Sequence, residues 1–349
     1  MKVAVIGCGT IANSAHIPSY MANPKTEIKY FCDIIPERAQ NAVNQYGCGI
    51  AVEDYREILA DEEIDAVSIC TPNKVHSEIA IAAMKAGKDV LCEKPAARVY
   101  EEALEMQKVQ HETGKVLNIG VVNRFNTNVN KMKELIEQGE LGEIYQVYVS
   151  FRSGRCIPGL GGDFTKKEIA GGGVMIDWGV HFFDIVMYCC GDPKTLSVSA
   201  ETFSRLGNPI KDYVYTYMWA GPEIPDGTYD VEEGVTGIIR TEGPVITFNG
   251  AWAQNILEDE MFIDFMGTKG GIRLKYGQDF TLYSTKNGML TKTTFANKQM
   301  PMYQEEIDAF VDCIESGEKL QSHIDTNIIT AKMMDAIYRS AEEHREITL

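Results

Sequence analysis

The sequence predicts an α/β protein in which a doubly wound parallel sheet is followed by a second α/β domain with a large open, mainly antiparallel sheet. A chain of 349 residues exceeds one ordinary core, because domains typically span roughly 100 to 200 residues. Up to residue 123, short β-branched runs alternate with helix-length amphipathic runs. From residue 124, the strand-like runs are longer and alternate in polarity. We therefore predict domains at residues 1–123 and 124–349.

Short apolar runs bounded by polar or turn-forming residues predict the buried strands of the first domain: KVAVIG, EIKYFCD, DAVSICTP, DVLCEKP and VLNIGVV. Helix-length segments lie between these runs, and Gly47, Gly87 and Gly114 occupy positions where a glycine ends a helix. Strands that alternate with helices pair in parallel and cross over with one hand, which gives a doubly wound sheet.

The second domain is predicted to begin with one helix, near residues 129–138. Five runs with alternating polarity then predict strands that have one exposed face: EIYQVYVSFR, LSVSAETFSR, EEGVTGIIRTEG, PVITFNGAWAQ and EMFIDFMG. Two helices, near residues 303–315 and 325–343, end the chain.

The charge and the apolar pattern of the chain disfavour nucleic-acid and membrane functions. The formal charge of −17 and a pI near 4.9 disfavour nucleic acid and anionic membrane surfaces, which acidic surfaces repel. The start of the chain lacks the apolar core of a signal peptide, and no apolar run approaches the roughly 18 residues of a membrane helix. The nine cysteines form no C-x-x-C pair, so we interpret them as reduced, mostly buried thiols. We expect a cytoplasmic protein.

A glycine-rich turn follows the first predicted strand and has the pattern G-x-G-x-x-A. Gly7 permits the tight turn, Gly9 lets the backbone approach a pyrophosphate, and Ala12 lets the helix pack closely on the sheet. Backbone N–H groups at the helix start, near Thr10 and Ile11, would face the phosphates. The pattern predicts a Rossmann dinucleotide site, although a glycine turn alone is sometimes only a turn.

An acidic residue strengthens this interpretation. Asp33 ends the second strand, at about the 20-residue spacing where Rossmann domains carry a ribose-binding carboxylate. Because a carboxylate repels a 2′-phosphate, NAD is favoured over NADP. Arg38 lies close enough to keep NADP as an alternative. The order of strand, turn, helix and acid disfavours the other explanation of Asp33, an exposed loop aspartate.

Ligands of doubly wound sheets bind at the carboxyl ends of the strands. This rule draws attention to Thr71 and Asn73 at the end of the predicted strand DAVSICTP, and to Glu93 and Lys94 at the end of the next one, DVLCEKP. Adjacent prolines at both places also explain why the strands end there. The lysine, beside an acid at the end of a buried strand, is the stronger functional candidate.

Four ordered motifs, VAVIGCGTIA, TPNKVH, EKP and GGGVMIDWGVHFFD, together resemble the Gfo/Idh/MocA oxidoreductases. The resemblance extends over essentially the whole chain. It implies a Rossmann domain, a C-terminal domain with an open sheet, assembly into homodimers or larger homo-oligomers, and hydride transfer between NAD and sugars or cyclitols.

The resemblance also implies roles for individual residues. The lysine of the EKP motif is Lys94, and the D-x-x-x-H pair is Asp177 and His181. The segment from Thr71 to Asn73 would lie near the nicotinamide ribose. The cofactor set would also include His76, Glu93, Lys94 and Asn123, and Arg124 holds the place of an arginine that family members often have after the last Rossmann strand. Arg152 and Trp178 are further candidate substrate residues, and Trp178 is not a general feature of the family.

The segment VMIDWGVHFFDIVMY supports the same site from its own pattern. On a helix, Asp177, His181, Asp184 and Tyr188 form one polar stripe on an otherwise apolar surface. Such a helix is buried, so the stripe either forms an internal hydrogen-bond network or lines a cavity. The glycine turn and Lys94 favour the cavity.

These residue types suit the oxidation of a secondary alcohol. The ordinary pKa of histidine, about 6.5, suits a base near neutral pH, so His181 is the candidate general base. Lys94 would stabilise the developing alkoxide and Asp177 would orient substrate or His181, although Lys94 and His181 could exchange the base role. The scheme needs no metal.

Two other segments remain open to more than one interpretation. Residues 152–173 are rich in glycine and predict either a mobile loop over a site or a surface connection. Residues 213–229 are rich in aromatics and predict either a platform for a sugar or aglycone, or packing and oligomer contacts.

We therefore expect an NAD-dependent dehydrogenase acting on a ring hydroxyl of a sugar, glycoside or cyclitol. Two alternatives stay open: a glycoside hydrolase that uses NAD for transient oxidation, and a catalytically silent sugar-sensing regulator.

Overall fold

The computed structural model describes residues 1–296 and 298–349, which form two compact units. The first unit contains residues 1–126 and 300–328, and the second contains residues 127–299 and 329–349. In chain order the strands are β1 (Lys2–Ile6), β2 (Glu27–Cys32), β3 (Ile50–Val52), β4 (Ala66–Ile69), β5 (Asp89–Glu93), β6 (Leu117–Gly120), β7 (Ile144–Arg152), β8 (Thr195–Phe203), β9 (Gly234–Thr241), β10 (Val245–Ala251), β11 (Glu260–Gly267), β12 (Gly270–Lys275), β13 (Phe280–Lys286), β14 (Met289–Phe295) and β15 (Ile347–Thr348).

The α-helices are α1 (Ile17–Ala22), α2 (Pro36–Tyr46), α3 (Tyr55–Ala60), α4 (His76–Lys85), α5 (Tyr100–Thr113), α6 (Thr127–Glu137), α7 (Lys167–Ala170), α8 (Val180–Cys190), α9 (Met302–Ser316) and α10 (Ile324–Glu343). Shorter 3₁₀ turns occupy Asn73–Val75, Val122–Phe125, Asp163–Thr165 and Ile210–Asp212. Two π-helical segments, Ala12–His16 and Met175–Gly179, directly precede α1 and α8.

The first unit contains a parallel sheet that, among the described residues, has six strands in the order β3-β2-β1-β4-β5-β6. β4 and β5 are buried along their whole length, as expected for strands covered on both faces. The predicted doubly wound sheet is confirmed, and Gly47 and Gly114 end α2 and α5 in the left-handed conformation. The edge strand β3 was not predicted, because its three residues are too few to show a pattern.

The first unit is completed by a distant part of the chain. Ile307, Phe310 and Val311 of α9 are buried in the same core as Val3 of β1 and Tyr20 of α1. The predicted division, with residues 124–349 in one domain, did not include this return. Helical periodicity identifies α9 as amphipathic but carries no information about which sheet receives its apolar face.

The second unit contains a sheet with nine strands among the described residues, in the order β14-β13-β12-β11-β7-β10-β9-β8-β15. β7 and β10 pair in parallel and the remaining neighbours pair antiparallel, which confirms the mainly antiparallel open sheet. The core consists of side chains from this sheet together with apolar residues of α6, α8 and the C-terminal part of α10. The strands β12 to β14 were not among the predicted runs, because most residues of β13 and β14 are polar and partly or fully exposed.

The glycine-rich and aromatic segments pair with each other. Thr216 N–H donates to the Arg155 carbonyl at 3.0 Å, and Ile224 N–H donates to the Leu160 carbonyl at 2.8 Å. The rings of Phe164 and Trp219 meet edge to face, 4.9 Å apart. These contacts support the packing interpretation of the aromatic segment, and stacking on a sugar stays a prediction.

Two further observations concern the most apolar segment of the chain and its cysteines. By length and composition, residues 167–190 are long and apolar enough to cross a membrane, and they are mostly buried inside the protein, as core helices of globular proteins also are. The nine cysteines all lie in the described residues and are free thiols; seven are buried and two half-buried.

Candidate functional site

The glycine turn joins β1 to the helix that begins at Thr10 and continues through Ile11. Gly7 has φ +93°, and a Cβ on it would lie 2.6 Å from the Cys70 carbonyl oxygen, so this position accepts only glycine. A Cβ on Gly9 would meet no atom within 4 Å and would project into open space. A phosphate group that approaches the backbone at Gly9 needs that space, so the turn fits the pyrophosphate of a dinucleotide.

Asp33 follows β2 and holds the turn in place. Its buried carboxylate accepts the N–H of Cys8 at 2.9 Å and the N–H of Ile35 at 2.9 Å. Burial raises the pKa of the Cys8 thiol to about 12, an effect that the positive charge of exposed Arg38 opposes. Asp33 thus lies beside the turn, as its predicted contact with the adenosine ribose requires. Arg38 is near enough to act on the charge of Cys8 in that turn.

His76 connects the ends of two strands. Its Nδ1 lies 2.8 Å from the Pro95 carbonyl oxygen and its Nε2 lies 2.9 Å from the Thr71 carbonyl oxygen. The side chain has no exposed surface, and burial lowers its pKa. A direct contact between His76 and a cofactor, as predicted, does not fit this burial. Its ring instead fixes the two loops that carry Asn73 and Lys94.

A buried pair missing from the sequence analysis lies beneath the EKP segment. His16 Nε2 lies 2.8 Å from Glu93 Oε1, and His16 Nδ1 lies 2.8 Å from Ser68 Oγ. Glu93 Oε2 accepts the N–H of Lys94 at 3.1 Å, so the pair bears directly on the lysine. A histidine within the apolar helix that follows the glycine turn was the available signal.

The electrostatics of this pair favour the ionised form of both groups. Burial works against the charge of His16, but the neighbouring Cys70 sulfur and the Glu93 carboxylate raise its pKa well above the ordinary value. Burial also opposes the charge of Glu93, yet the hydrogen bond from His16 leaves the pKa of Glu93 below its ordinary value. We therefore describe the pair as a buried ion pair.

Asn123 and Arg124 lie in the 3₁₀ turn after β6, and both are buried. The Arg124 guanidinium donates to Thr326 Oγ1 at 2.8 Å and to the Gln321 carbonyl. Gln321 in turn donates from its side-chain amide to the Arg124 carbonyl. With 1% of its surface exposed, Arg124 joins the turn to residues 321–326, and its predicted contact with substrate has no support in this arrangement.

In the second unit, the helix predicted to carry the chemistry is almost entirely buried. Of residues 172–189, all described, only Asp177, Trp178 and His181 are partly exposed. The exposed positions are therefore two of the predicted catalytic residues and the predicted substrate residue between them. A polar pair that stays accessible on a buried helix is the expected appearance of a site.

The predicted polar stripe divides into two parts. Asp184 is 1% exposed, and the Tyr188 hydroxyl donates to Asn130 Oδ1 of α6 at 2.8 Å, so the inner part lies inside the unit. The outer part, Asp177 and His181, stays partly exposed. The hydrogen-bond interpretation thus holds for Tyr188, and the cavity interpretation stays a prediction for Asp177 and His181.

The stripe begins in a π-helical turn, Met175–Gly179, which directly precedes the regular helix α8. Val180 N–H donates to the Met175 carbonyl, five residues back, and Asp177 lies within the widened turn. A Cβ on Gly179 would lie 2.7 Å from Met175 Sδ, so the helix passes closely over its own side chain there. π turns are uncommon and occur frequently at functional sites.

Arg152, at the end of β7, lies directly opposite Glu260 of β11. Its Nε lies 2.9 Å from Glu260 Oε2 and its Nη2 lies 2.8 Å from Oε1, and Ser150 Oγ also donates to Glu260, at 3.0 Å. Arg152 thus forms a two-point ion pair within the sheet, and its predicted contact with substrate stays a prediction. Within residues 1–296 and 298–349, no group of three or more His, Cys, Asp or Glu side chains is arranged to hold a metal ion.

Comparison with known proteins accounts for both units. Residues 1–121 match the NAD-binding Rossmann-fold domain of the Gfo/Idh/MocA oxidoreductase family, and residues 129–273 match that family's C-terminal domain. The D-glucoside 3-dehydrogenase of Escherichia coli (strain K12) is 31% identical, and the match covers 100% of this chain and 97% of that protein. The chain belongs to the Gfo/Idh/MocA oxidoreductase family.

Other members of the Gfo/Idh/MocA family are more distant but equally complete matches. The inositol 2-dehydrogenase of Rhizobium meliloti (strain 1021) is 25% identical, with 100% of this chain and 99% of that protein covered. The solved structure of a levoglucosan dehydrogenase, in complex with NADH and levoglucosan, has the same fold, with a TM-score of 0.86, 23% identity and coverage of 100% and 99%. The family makes this chain an NAD-binding oxidoreductase.

The two glycines of the turn give a matched test of cofactor binding. We expect Gly7→Ala to destabilise the first unit, because the added Cβ overlaps the Cys70 backbone at a positive φ. We expect Gly9→Ala to leave the melting temperature unchanged and to weaken NAD binding at least about tenfold, since its Cβ fills only the space a phosphate needs. Calorimetry and NAD titration measure the two effects. Unchanged NAD affinity in Gly9→Ala would contradict the placement of the pyrophosphate.

The buried ion pair predicts a pH dependence of stability. Because the pKa of folded His16 is raised above 6.5, its stabilising contribution is complete below pH 6.5 and is lost as the pH rises from there through the folded pKa. We expect the free energy of unfolding to fall over this range in the wild type, and to fall less in His16→Gln. Urea unfolding at several pH values measures it, with His111→Gln, an exposed histidine, as the control. If the free energy of unfolding changes with pH in the same way in wild type and His16→Gln, the assignment of His16 and Glu93 as an ion pair is wrong.

Proposed function

We propose that the protein is an NAD-dependent dehydrogenase that oxidises a ring secondary hydroxyl of a sugar, glycoside or cyclitol. The observation that carries this proposal is the pair Asp177 and His181, which with Trp178 stays partly exposed on a helix that is otherwise buried. Removal of a proton from an alcohol needs a general base, and an imidazole with a carboxylate one helical turn away can act as one. The NAD-binding domain of the family accounts for the other half of the reaction.

Among substrates, a glucoside is the first candidate. The glucoside 3-dehydrogenase relative is 31% identical over the whole chain, whereas the inositol 2-dehydrogenase relative is 25% identical. The aromatic segment at residues 213–229 offers partly exposed rings, among them Tyr217 and Trp219, that suit a sugar or an aglycone. We propose that the reacting hydroxyl lies on a glucoside ring.

The residues of the glycine turn fit the cofactor. Gly7, Gly9 and the N–H groups near Thr10 and Ile11 would bind the pyrophosphate, and Asp33 would accept hydrogen bonds from the adenosine ribose. Thr71, Asn73, Lys94 and Asn123 would complete the nicotinamide end. When bound, NAD supplies the acceptor for the hydride that leaves the substrate carbon.

The chain's own residues handle the proton. We propose that His181 accepts the hydroxyl proton as general base, and that Asp177 orients the imidazole or the substrate. The ammonium group of Lys94 would donate a hydrogen bond to the same oxygen and stabilise its developing negative charge. Trp178 would provide an apolar surface for the sugar ring.

Two properties of the protein outside its chemistry are also proposed. We infer assembly into a homodimer or larger homo-oligomer from the family resemblance, and a cytoplasmic location from the cysteines, which are all free thiols. Light scattering of the purified protein tests the first, and fractionation of the source cells tests the second.

A substrate panel tests the function. Wild-type protein and NAD are mixed with methyl β-D-glucopyranoside, 4-nitrophenyl β-D-glucopyranoside, levoglucosan, D-glucose and myo-inositol, and NADH absorbance is followed. We expect NADH to accumulate with at least one glucoside and no 4-nitrophenol to appear. Release of 4-nitrophenol without NADH would identify a hydrolase. If none of the five compounds gives NADH or 4-nitrophenol, a regulator would be favoured.

Substitutions test the proposed roles. With the panel compound that the wild type oxidises fastest, we expect His181→Ala, Asp177→Ala and Lys94→Ala to lower kcat by roughly 10²- to 10⁴-fold, the usual contribution of a general acid or base. Far-ultraviolet circular dichroism should stay unchanged, and NAD titration should give wild-type affinity for the His181 and Asp177 variants. His111→Gln is the control. Loss of folding in each variant would instead support purely structural roles.

A further inference from the structure

The start of the helix that carries Asp177 and His181 is held by a buried carboxylate from a distant part of the second unit. Glu232, 8% exposed, lies just before β9. Its Oε2 accepts the N–H of Gly173 at 2.9 Å, and its Oε1 accepts the N–H of Met175 at 3.1 Å. Two of the first N–H groups of the helix, which have no partner within a helix, are thereby satisfied.

Further contacts close this arrangement. The Tyr338 hydroxyl donates to Glu232 Oε1 at 2.8 Å, and Val174 N–H donates to the Glu232 backbone carbonyl at 3.2 Å. The Glu232 carboxylate thus accepts three hydrogen bonds, and the Glu232 backbone carbonyl accepts a fourth. Burial raises the pKa of Glu232, and the hydrogen bonds oppose that rise.

The glycines before the helix allow this close contact. A Cβ on Gly173 would overlap the Glu232 carbonyl oxygen, and a Cβ on Gly172 would overlap the Tyr338 hydroxyl. The pair of glycines therefore belongs to the anchor. Two glycines of the GGG motif are therefore needed for close packing at the helix start, which their interpretation as part of a loop did not predict.

The anchor lies close to the proposed chemistry. Asp177 N–H donates to the Gly173 carbonyl at 3.0 Å, so Asp177 lies one turn beyond the residue that Glu232 binds. His181 lies one further turn along. Because displacements of about 1 Å cost roughly 10²-fold in rate, the position of this helix start affects both side chains.

We propose that Glu232 is a positioning residue for the reaction, which fixes the helix start so that Asp177 and His181 keep their catalytic placement. Tyr338 acts with it by holding one carboxylate oxygen. The inference rests on the proposed function, because it concerns the rate that Asp177 and His181 support. Neither Glu232 nor Tyr338 is assigned a contact with substrate.

The neighbouring residue supplies a matched control. Glu233 is also buried, and it accepts the N–H groups of Leu206 at 3.0 Å and Gly207 at 3.3 Å, together with that of Arg205. It also accepts the Tyr229 hydroxyl at 2.6 Å. Glu232 and Glu233 thus have the same chemistry and similar burial, but Glu233 anchors the segment after β8 instead of the helix.

The experiment compares Glu232→Gln with Glu233→Gln, using NAD and the panel compound that the wild type oxidises fastest. We expect both variants to lose similar amounts of thermal stability. We expect kcat to fall at least about tenfold in Glu232→Gln and to stay within about twofold in Glu233→Gln, with KM for NAD unchanged in both. Equal kcat losses in the two variants would overturn the proposal, because a general loss of stability would then explain them.

A milder pair of variants covers the case in which Glu232→Gln does not fold. Tyr338→Phe removes one hydrogen bond from Glu232, and Tyr229→Phe removes the corresponding bond from Glu233. We expect kcat to fall about two- to tenfold in Tyr338→Phe and to stay within about twofold in Tyr229→Phe, because Glu232 keeps its bonds to Gly173 and Met175 and the helix start shifts less than in Glu232→Gln. Equal kcat in both variants would count against the anchor.

Hydrogen exchange measured by mass spectrometry separates this inference from the proposed function. We expect faster exchange at residues 173–181 in Glu232→Gln or Tyr338→Phe, and faster exchange at residues 204–207 in the Glu233 and Tyr229 variants. If the wild type oxidises nothing in the panel, the proposed function fails and the exchange data alone decide whether Glu232 anchors the helix. Unchanged exchange at residues 173–181 would reject the anchor whatever the activity.

Discussion

Buried carboxylates that accept backbone N–H groups hold the glycine turn and the EKP segment of the first unit and, separately, the helix start of the second unit. Asp33 binds the N–H of Cys8 in the glycine turn, Glu93 binds that of Lys94, and Glu232 binds those of Gly173 and Met175. Burial costs a carboxylate roughly several kcal/mol of hydration free energy. The group therefore retains its charge only where hydrogen bonds replace the lost water. These interactions make loops and helix starts, ordinarily the flexible parts of a protein, as fixed as the strands beside them.

Small residues make these carboxylate contacts possible. The Gly7 position lies against the Cys70 backbone, and Gly173 lies against that of Glu232, so neither place has room for a side chain. At Gly173 the backbone N–H therefore reaches the Glu232 carboxylate without an intervening Cβ. The Gly7 N–H instead donates to the Cys32 carbonyl, and the tight turn at Gly7 lets the next residue, Cys8, bind Asp33. Glycine costs conformational entropy on folding, roughly 0.5 to 1 kcal/mol relative to alanine, and the bonds to the buried carboxylate offset it.

The sequence predicted those features that depend on local pattern. Alternating strands and helices gave the parallel sheet, and the G-x-G-x-x-A pattern with the spacing from Ala12 to Asp33 gave the dinucleotide turn. The return of α9 to the first unit, the burial of Arg124 and the bridging role of His76 escaped prediction, because each depends on contacts between segments far apart in the chain. Periodicity shows that a side chain is buried but not what it meets. Glu232 is the clearest case: its partners are 57 and 59 residues away, so no local pattern marks it.

Neither π turn was visible in the sequence, and each occurs where a functional helix begins. The first contains His16, whose ring reaches Glu93 beside Lys94, and the second contains Asp177. A π turn inserts one residue into the helix and weakens its hydrogen-bond geometry, so it persists only where the surrounding contacts determine the backbone. In the second unit those contacts are the Glu232 anchor before the turn and the buried α8 after it. Asp177, Trp178 and His181 occupy positions i, i+1 and i+4, so they lie on one side of this helix, and that side stays accessible while the rest of residues 172–189 is buried.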